Sequence, residues 1–226
     1  MQLRCRWYHI HIPKGAPDLP AVLEKHPLSP DVNQGFTTVT GTWGQQINRF
    51  LWRSKVVITL VSDDGEPHYQ EVATVNYTDF AVLNVDGETF FRIENPGRSI
   101  SDLLNTLESL VGLGFTCKPV TFAKKKPILV LESVDVAKLV GLKVIDAALS
   151  KDLLARIEFS SKEGINPEKL TVLDGVTHKT DSVSYELVYS GVKGTLHFSS
   201  TGMVKVGGQL APRLVHLIEQ DLTEIL

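Results

Sequence analysis

The chain has 226 residues, of which 42% are hydrophobic and 22% are charged, and its formal net charge is −3. These values are typical of a globular protein with one large domain or two smaller ones. The negative total excludes the strong overall positive charge that dedicated nucleic-acid-binding proteins usually carry, although it leaves room for a local basic patch.

The cysteines and the apolar segments bear on the compartment of the protein. Cys5 and Cys117 lie far apart and show neither metal-ligand nor disulfide spacing, which favours free thiols in a reducing compartment. The first residues lack the pattern of a secretory signal, and no apolar run approaches the ~20 residues of a membrane span. We therefore expect a cytoplasmic protein that does not enter a membrane.

The N-terminal part predicts one strand, one short helix and a long segment rich in turns. Apolar and polar residues alternate over residues 1–12 as they do in a β-strand. Residues 19–25 predict a short helix with Pro20 near its start. Between residues 26 and 48, recurring Pro, Gly and Asn indicate turns around one short strand at 36–42.

A β-rich segment follows. Residues 55–61 form a continuous run (Lys-Val-Val-Ile-Thr-Leu-Val) that predicts a buried strand, and Asp63-Asp64-Gly65 predicts the turn after it. Asp86-Gly87 predicts a tight hairpin turn, because both central positions of such a turn take a positive φ. Further strands of this segment are predicted at 69–75, 80–85 and 88–93.

An amphipathic helix is predicted to begin at Ser99, its expected N-cap, and to end at Gly112. Its buried face is expected to comprise Ile100, Leu103, Leu104, Leu107, Leu110 and Val111. The next strands are predicted at 116–122 and 128–132, before a short helix or turn at 133–139. Four more strands are predicted at 142–149, 153–159, 170–173 and 182–189.

The last stretch of the chain predicts a hairpin followed by a helix. The hairpin strands are expected at 194–199 and 203–206, and Pro212 suits the first turn of the helix because its missing N–H would have no partner there. One face of this helix repeats apolar residues at intervals of three and four, namely Ala211, Leu214, Val215, Ile218, Leu222 and Ile225.

This order of strand, turn, strand and helix occurs twice, at 80–111 and at 195–222, about half the chain length apart. We therefore predict an α+β protein with two β-rich halves, 1–133 and 134–226. In each half, an antiparallel sheet is closed by a C-terminal amphipathic helix that covers one face and leaves the other face free. Duplication of an ancestral unit and independent use of one common motif both explain this repeat.

The closing hairpin, Gly194-Thr195-Leu196-His197-Phe198-Ser199-Ser200-Thr201-Gly202-Met203-Val204-Lys205-Val206-Gly207, resembles that of the TATA-binding-protein-like fold. The resemblance covers about 30 residues. Met203 stands where that family typically has Lys, and Thr201 widens the turn. The resemblance implies a curved sheet, often duplicated into a saddle, whose concave face binds nucleic acid or protein. It implies that His197, Phe198 and Lys205 lie on that face.

A mixture of cations and aromatic rings elsewhere in the chain is typical of a surface that binds single-stranded nucleic acid. Cations bind phosphates, and flat rings stack on bases. The same mixture also occurs on ordinary protein surfaces. The candidates are Arg4, Arg6, Trp7, Arg49, Trp52, Arg53 and Lys55, with Lys124, Lys125 and Lys126 as a phosphate-binding run if that run lies beside them.

His9 and His11 form a His-x-His pattern that places both imidazoles on one face of a strand. Neutral imidazole is both a metal ligand and a proton carrier near pH 7, so the pair is a candidate metal or acid–base site. Structural or surface histidines are the competing interpretation, because the sequence nominates no third ligand.

Three functions remain open from the sequence. The leading hypothesis is a non-catalytic binding protein that uses an exposed sheet face for nucleic acid or a protein partner. The second is a metal-dependent nuclease or hydrolase centred on His9 and His11. The third is a structural or assembly subunit, of phage or mobile-element origin, that forms a homo-oligomer through its sheet edges. We expect no cofactor, because the chain has no phosphate loop or dinucleotide fingerprint.

Overall fold

A computed structural model describes residues 2–97, 99–122 and 128–226. The protein is a mixed α+β protein with 51% strand and 19% helix, and its sheet pairing is mostly antiparallel. The strands are β1 (Gln2–His11), β2 (Gln34–Thr40), β3 (Gln46–Val61), β4 (Pro67–Val85), β5 (Glu88–Glu94), β6 (Thr116–Pro119), β7 (Val136–Ser150), β8 (Leu153–Ser160), β9 (Lys179–Tyr189), β10 (Val192–Ser199) and β11 (Met203–Gly208). The helices are α1 (Leu19–Lys25), α2 (Ser101–Val111), α3 (Ile128–Glu132), α4 (Ala211–Gln220) and α5 (Leu222–Ile225).

The chain forms two compact units. Unit 1 comprises Met1–Ile10, Leu83–Asn95 and Cys117–Leu226, and unit 2 comprises His11–Val82 and Pro96–Thr116. These units do not coincide with the predicted halves 1–133 and 134–226. The reason lies in unit 1, where β1 pairs with β11 on one side and with β5 on the other, so the first strand belongs with the last ones.

The sheet of unit 1 has the strand order β5-β1-β11-β10-β9-β7-β8, and β6 pairs with β1. Helix α4 packs on β10 and β11. All six residues of the expected apolar face are buried and Pro212 lies in the first turn, but the predicted single helix is divided: α4 ends at Gln220, and Leu222 and Ile225 lie in the short helix α5. The strands supply the matching apolar surface with Leu196, Phe198, Val204 and Val206, which are also buried.

The repeated order of strand, tight turn, strand and helix is present as β4-β5-α2 and as β10-β11-α4. The tight turn at Asp86-Gly87 is confirmed, since both residues have positive φ values, of 50° and 85°. In the first copy, however, β5 belongs to unit 1 and α2 to unit 2. Only the second copy lies within one compact unit, and the duplication of two sheet-and-helix halves stays a prediction.

In unit 2, α1 spans the predicted residues, and the Asp18 carboxylate caps it by accepting a hydrogen bond from the amide of Ala21. Strand β2 pairs with β3 as far as Trp52, and β3 pairs with β4 from Asn48 to Val61. Beyond Trp52 the β3–β4 pair continues as a two-stranded ribbon of residues 53–61 and 67–75, which we call the arm.

The arm corrects the prediction of a buried strand at residues 55–61. Its apolar side chains are exposed, from 41% for Ile58 to 70% for Val61, and Tyr69 on the opposite strand is 72% exposed. A continuous apolar run indicates burial only when other elements cover both faces of the strand. Across the described residues, β3 has only β2 and β4 as neighbours, and β2 ends before this run.

Several smaller predictions were wrong. Residues 128–132 form helix α3 instead of a strand, and the predicted helix or turn at 133–139 contains the start of β7. The predicted strand at 170–173 is a short 3-10 turn, Thr171–Leu173. Short apolar runs do not distinguish strand from helix, because they are too short to show either period.

No helix in the described part of the chain combines the length and the apolar character needed to cross a membrane.

Candidate nucleic-acid interface

The face of the unit 1 sheet opposite α4 carries a row of basic residues. Successive residues of a strand point to opposite faces, so the neighbours of the core residues project away from the helix. Arg4 of β1 pairs directly with Lys205 of β11, Lys205 with His197 of β10, and His197 with Ser184 of β9. We call Arg4, Lys205 and His197 the basic row. With strands ~4.8 Å apart, it spans ~10 Å.

Like charges directly opposite each other on neighbouring strands destabilise a sheet. Arg4 is exposed and Lys205 is half-buried, and within the described residues neither forms an ion pair. Cations on adjacent rows are compensated, since Lys138 pairs with Glu186 at 2.9 Å and Lys143 with Asp181 at 3.1 Å. The basic row therefore concentrates positive charge that a bound anion would neutralise.

The imidazole of His197 is held in place and kept neutral. Its Nδ1 lies 2.9 Å from the hydroxyl oxygen of Ser184. Burial, reinforced by the positive charge of Lys205, lowers the pKa of His197 below its ordinary value. Space for the serine comes from Gly141 on β7, where an added Cβ would lie 3.1 Å from the Cβ of Ser184. At pH 7 His197 thus presents a neutral, oriented ring beside Lys205.

We expect replacement of Lys205 by glutamine to raise the pKa of His197, because one of the two largest causes of its depression disappears. The measurement is an NMR titration of the imidazole in the intact protein. The pKa of His197 is lower in the folded protein than its ordinary value in the unfolded chain. His197 is therefore neutral in both states above the ordinary value, where the protein keeps its full stability. That stability decreases as the pH falls from the ordinary value through the folded pKa, because the unfolded chain is protonated first. The exposed Lys14 provides the control: Lys14→Gln leaves the titration unchanged.

Two aromatic residues predicted to meet nucleic acid lie instead in the core of unit 1. Trp7 is 0% exposed, and its Nε1 donates to Glu219 Oε1 at 3.4 Å. Phe198 is 3% exposed and packs against the rings of Phe122 and Tyr185. Their strand positions explain this correction. Trp7 follows Arg6 and Phe198 follows His197, and successive side chains of a strand point to opposite faces, so both rings point toward the face that packs on α4.

Arg6 is only partly available. Its guanidinium donates to the carbonyl oxygen of Thr201 at 3.2 Å and lies 5.5 Å from the centre of the Tyr8 ring. Its side chain therefore fixes the turn between β10 and β11 to β1. Lys124, Lys125 and Lys126 lie outside the described residues.

The predicted cations of unit 2 are engaged in contacts within that unit. Arg49 forms a bidentate pair with Asp79 at 2.6 and 2.8 Å, and its guanidinium lies 4.2 Å from the centre of the Tyr77 ring. The pKa of Arg49 is raised mainly by the hydrogen bonds to Asp79. A cation held in this way stabilises the β3–β4 ladder and has little capacity left for a phosphate.

The other unit 2 candidates also have local roles. Arg53 donates to the carbonyl oxygens of residues 29, 30 and 32 and so holds the segment before β2. Lys55 pairs with Glu71 at 2.9 Å on the arm. Trp52 is half-buried and stacks on Phe50 with ring centres 5.4 Å apart. Arg49, Arg53 and Lys55 share one face of β3, and Trp52 lies on the other face, so the structure does not bring the ring and the cations together.

The two candidate metal ligands have different surroundings. His9 Nε2 lies 2.7 Å from a carboxylate oxygen of Glu88, and its ring packs on Phe90. His11 is exposed at the end of β1. Over the described ranges, no three or more His, Cys, Asp or Glu side chains are grouped closely enough to hold a metal ion. The metal site therefore stays a prediction from the His-x-His pattern.

Sequence reasoning missed Ser184 and Gly141, and it did not place Arg4 beside Lys205. The alternation over 182–189 indicates that Ser184 lies on the polar face of its strand. The partner of each residue depends on strand register, however, and the short bulges in the β7–β9 pairing shift that register. No local signal in the sequence encodes this strand register.

Comparisons with known proteins add no family to this picture: no protein-family model matches the chain, and the search of curated proteins gave no match. The resemblance of the closing hairpin to the TATA-binding-protein-like fold stays a prediction.

Proposed function

We propose that this protein binds nucleic acid through the open face of the unit 1 sheet, with the basic row as the centre of the contact. The observation that carries this proposal is the direct pairing of Arg4 with Lys205 and of Lys205 with His197 across three strands. Such a row costs folding free energy unless an anion neutralises it. A sugar-phosphate backbone supplies anions at regular spacing along a line.

The character of the surface indicates which part of a nucleic acid it contacts. Trp7 and Phe198 point into the core, so bases have no large ring of either residue to stack on. Arg4 and Lys205 bind phosphate oxygens, while the neutral ring of His197 donates or accepts a hydrogen bond. We therefore propose binding of the backbone with little sequence preference and with strong dependence on salt.

The test is retention of labelled single- and double-stranded DNA and RNA over a salt series. We expect the wild-type protein to retain at least one of these at low salt, with affinity that falls as salt rises. In the double variant Arg4→Ala and Lys205→Ala, affinity at low salt falls about 10-fold or more. The slope of log affinity against log salt decreases by about 2, because two phosphates are no longer neutralised by the protein.

Lys14→Ala is the matched control, because it removes one positive charge from an exposed turn in unit 2. It should leave both the affinity and the slope close to those of wild type. If no nucleic acid is retained at low salt, or if Lys14→Ala weakens retention as much as the double variant does, the proposal is refuted. In that case a protein partner becomes the better candidate for the open face.

A further inference from the structure

The arm of unit 2 exposes apolar residues on both faces of a two-stranded ribbon. On one face lie Val56, Ile58 and Leu60, and on the other lie Val57, Val61 and Tyr69, all of them at least 41% exposed. An isolated two-stranded hairpin is only marginally stable in water, and three or more strands are needed for independent stability. An exposed apolar strand with a free edge is a template for pairing with another strand.

The backbone of β3 has a free edge along this run. The amide of Ser62 donates inward, to the carbonyl oxygen of Glu66 across the turn, whereas the amide of Arg53 donates outward, to the carbonyl oxygen of Asn33. Because the direction alternates along a strand, the outward groups are those of residues 55, 57, 59 and 61. Within the described part of the chain, no strand pairs with residues 55–61 on that side.

We propose that the arm pairs with the arm of a second copy of this chain, β3 against β3 in antiparallel orientation, with the two-fold axis at Ile58. This register pairs every residue of 55–61 with a residue of the same segment. It places Val57 opposite Thr59 as a hydrogen-bonded pair, so all four outward residues of each copy find partners. The two arms then form one four-stranded sheet.

Side chains and charges agree with this register. On one face Val56 of each copy lies opposite Leu60 of the other, and the two Ile58 side chains meet at the axis, which gives three apolar cross-strand pairs. The same register places Lys55 of each copy opposite Val61 of the other, two residues before the acidic turn that begins at Asp63. The acidic turn at Asp63 thus lies near Lys55 of the neighbouring arm at both ends of the interface.

The opposite edge of the arm does not offer this complementarity. Residues 67–75 of β4 contain Glu71 and no Lys or Arg, and Glu66 precedes them. An antiparallel pair of β4 edges would therefore bring acidic residues together without a compensating cation. The inference concerns unit 2 alone and is independent of the nucleic-acid-binding proposal.

The first test measures mass in solution over a dilution series by analytical ultracentrifugation. We expect the wild-type chain to form a reversible dimer. Thr59→Pro removes an outward N–H from each copy but no hydrogen bond within the arm, so dimerisation weakens by about 30-fold through the absence of two hydrogen bonds. Thr59→Val keeps the N–H and should dimerise like wild type. A similar unfolding temperature for both variants shows that each is folded.

The second test traps the register with cysteine. Two residues 58 in a non-hydrogen-bonded pair have Cα atoms about 4.5 Å apart, which suits a disulfide. In a Cys117→Ser background, with Cys5 buried, mild oxidation of Ile58→Cys should give a covalent dimer. Val61→Cys lies far from its own copy in this register and should not cross-link. A monomeric wild type, a dimeric Thr59→Pro, or equal cross-linking of both cysteine variants overturns the proposal.

Discussion

Replacing Arg92 by methionine is expected to destabilise the protein by about 3–5 kcal/mol, because it leaves two buried carboxylates without their cation. The side chains of Arg92, Glu94 and Glu219 are 6%, 4% and 14% exposed. Arg92 lies 2.5 Å from a carboxylate oxygen of Glu219 and 3.0 Å from one of Glu94. Burial alone lowers the pKa of Arg92, but the negative charges around it, chiefly that of Glu219, raise it overall, so the guanidinium stays charged.

Urea unfolding of the variant measures this effect, and for a chain of this size the melting temperature should fall by about 10 °C. Arg92→Lys is the comparison, since it keeps the charge but lacks the planar fork that reaches both carboxylates, and we expect an intermediate loss. A triple variant with Met at 92 and Leu at 94 and 219 should recover most of the stability. If Arg92→Met lost less than Arg92→Lys, the cation would not be what holds this cluster.

A second large effect is expected at Gly202, in the turn between β10 and β11. Its φ is +91°, and an added Cβ would lie 1.9 Å from the carbonyl oxygen of Val120. The segment after Val120 is fixed there because the amide of Phe122 donates to the carbonyl oxygen of Ser200. Gly202→Ala must therefore displace backbone atoms, and we expect a loss of about 3 kcal/mol or more.

Gly191 provides the matched control for this substitution. It lies in the turn between β9 and β10 with a φ of +77°, and an added Cβ would have no atom within 4 Å. Gly191→Ala therefore carries only the strain of the left-handed conformation, about 1 kcal/mol. The difference between the two variants in thermal unfolding measures the close approach of Val120. Equal losses at both sites would contradict the role assigned to that contact.

The sequence predicted best where one periodicity dominates. Helix α4, the hairpin before it and the turn at Asp86-Gly87 were recognised because an apolar stripe or a turn with positive φ has few alternatives. Helix α1 was likewise predicted with its observed bounds. In these elements the residues that determine the local structure lie within a few positions of one another.

Predictions failed where distant contacts decide the structure. Val130 of α3 is fully buried, and the amide of Leu129 in the same helix donates a hydrogen bond to the carboxylate of Asp221. These contacts favour a helical turn where Ile-Leu-Val-Leu alone suggests a strand. The prediction for the arm failed in the opposite sense: Val56 and Val57 have the composition of a buried strand but lie in solvent.

The candidate site was predicted only in part. Lys205, Arg4 and His197 were identified from their chemistry and from the hairpin resemblance. Their alignment across three strands depends on pairing between the first strand and the last two, which no local pattern specifies. The same pairing places the side chains of Trp7 and Phe198 in the core of unit 1, because the register of a strand determines which face of the sheet each of its side chains occupies.

The location of β1 between β5 and β11 also governs how unit 1 is assembled during synthesis. On the ribosome, β5 emerges soon enough to pair with β1 early, but β11 emerges only after all of residues 95–202 have been made. Until then residues 2–6 of β1 lack the partner strand that β11 supplies, and contacts so distant in sequence form slowly. We therefore expect the closure of this unit to be a late event in biogenesis.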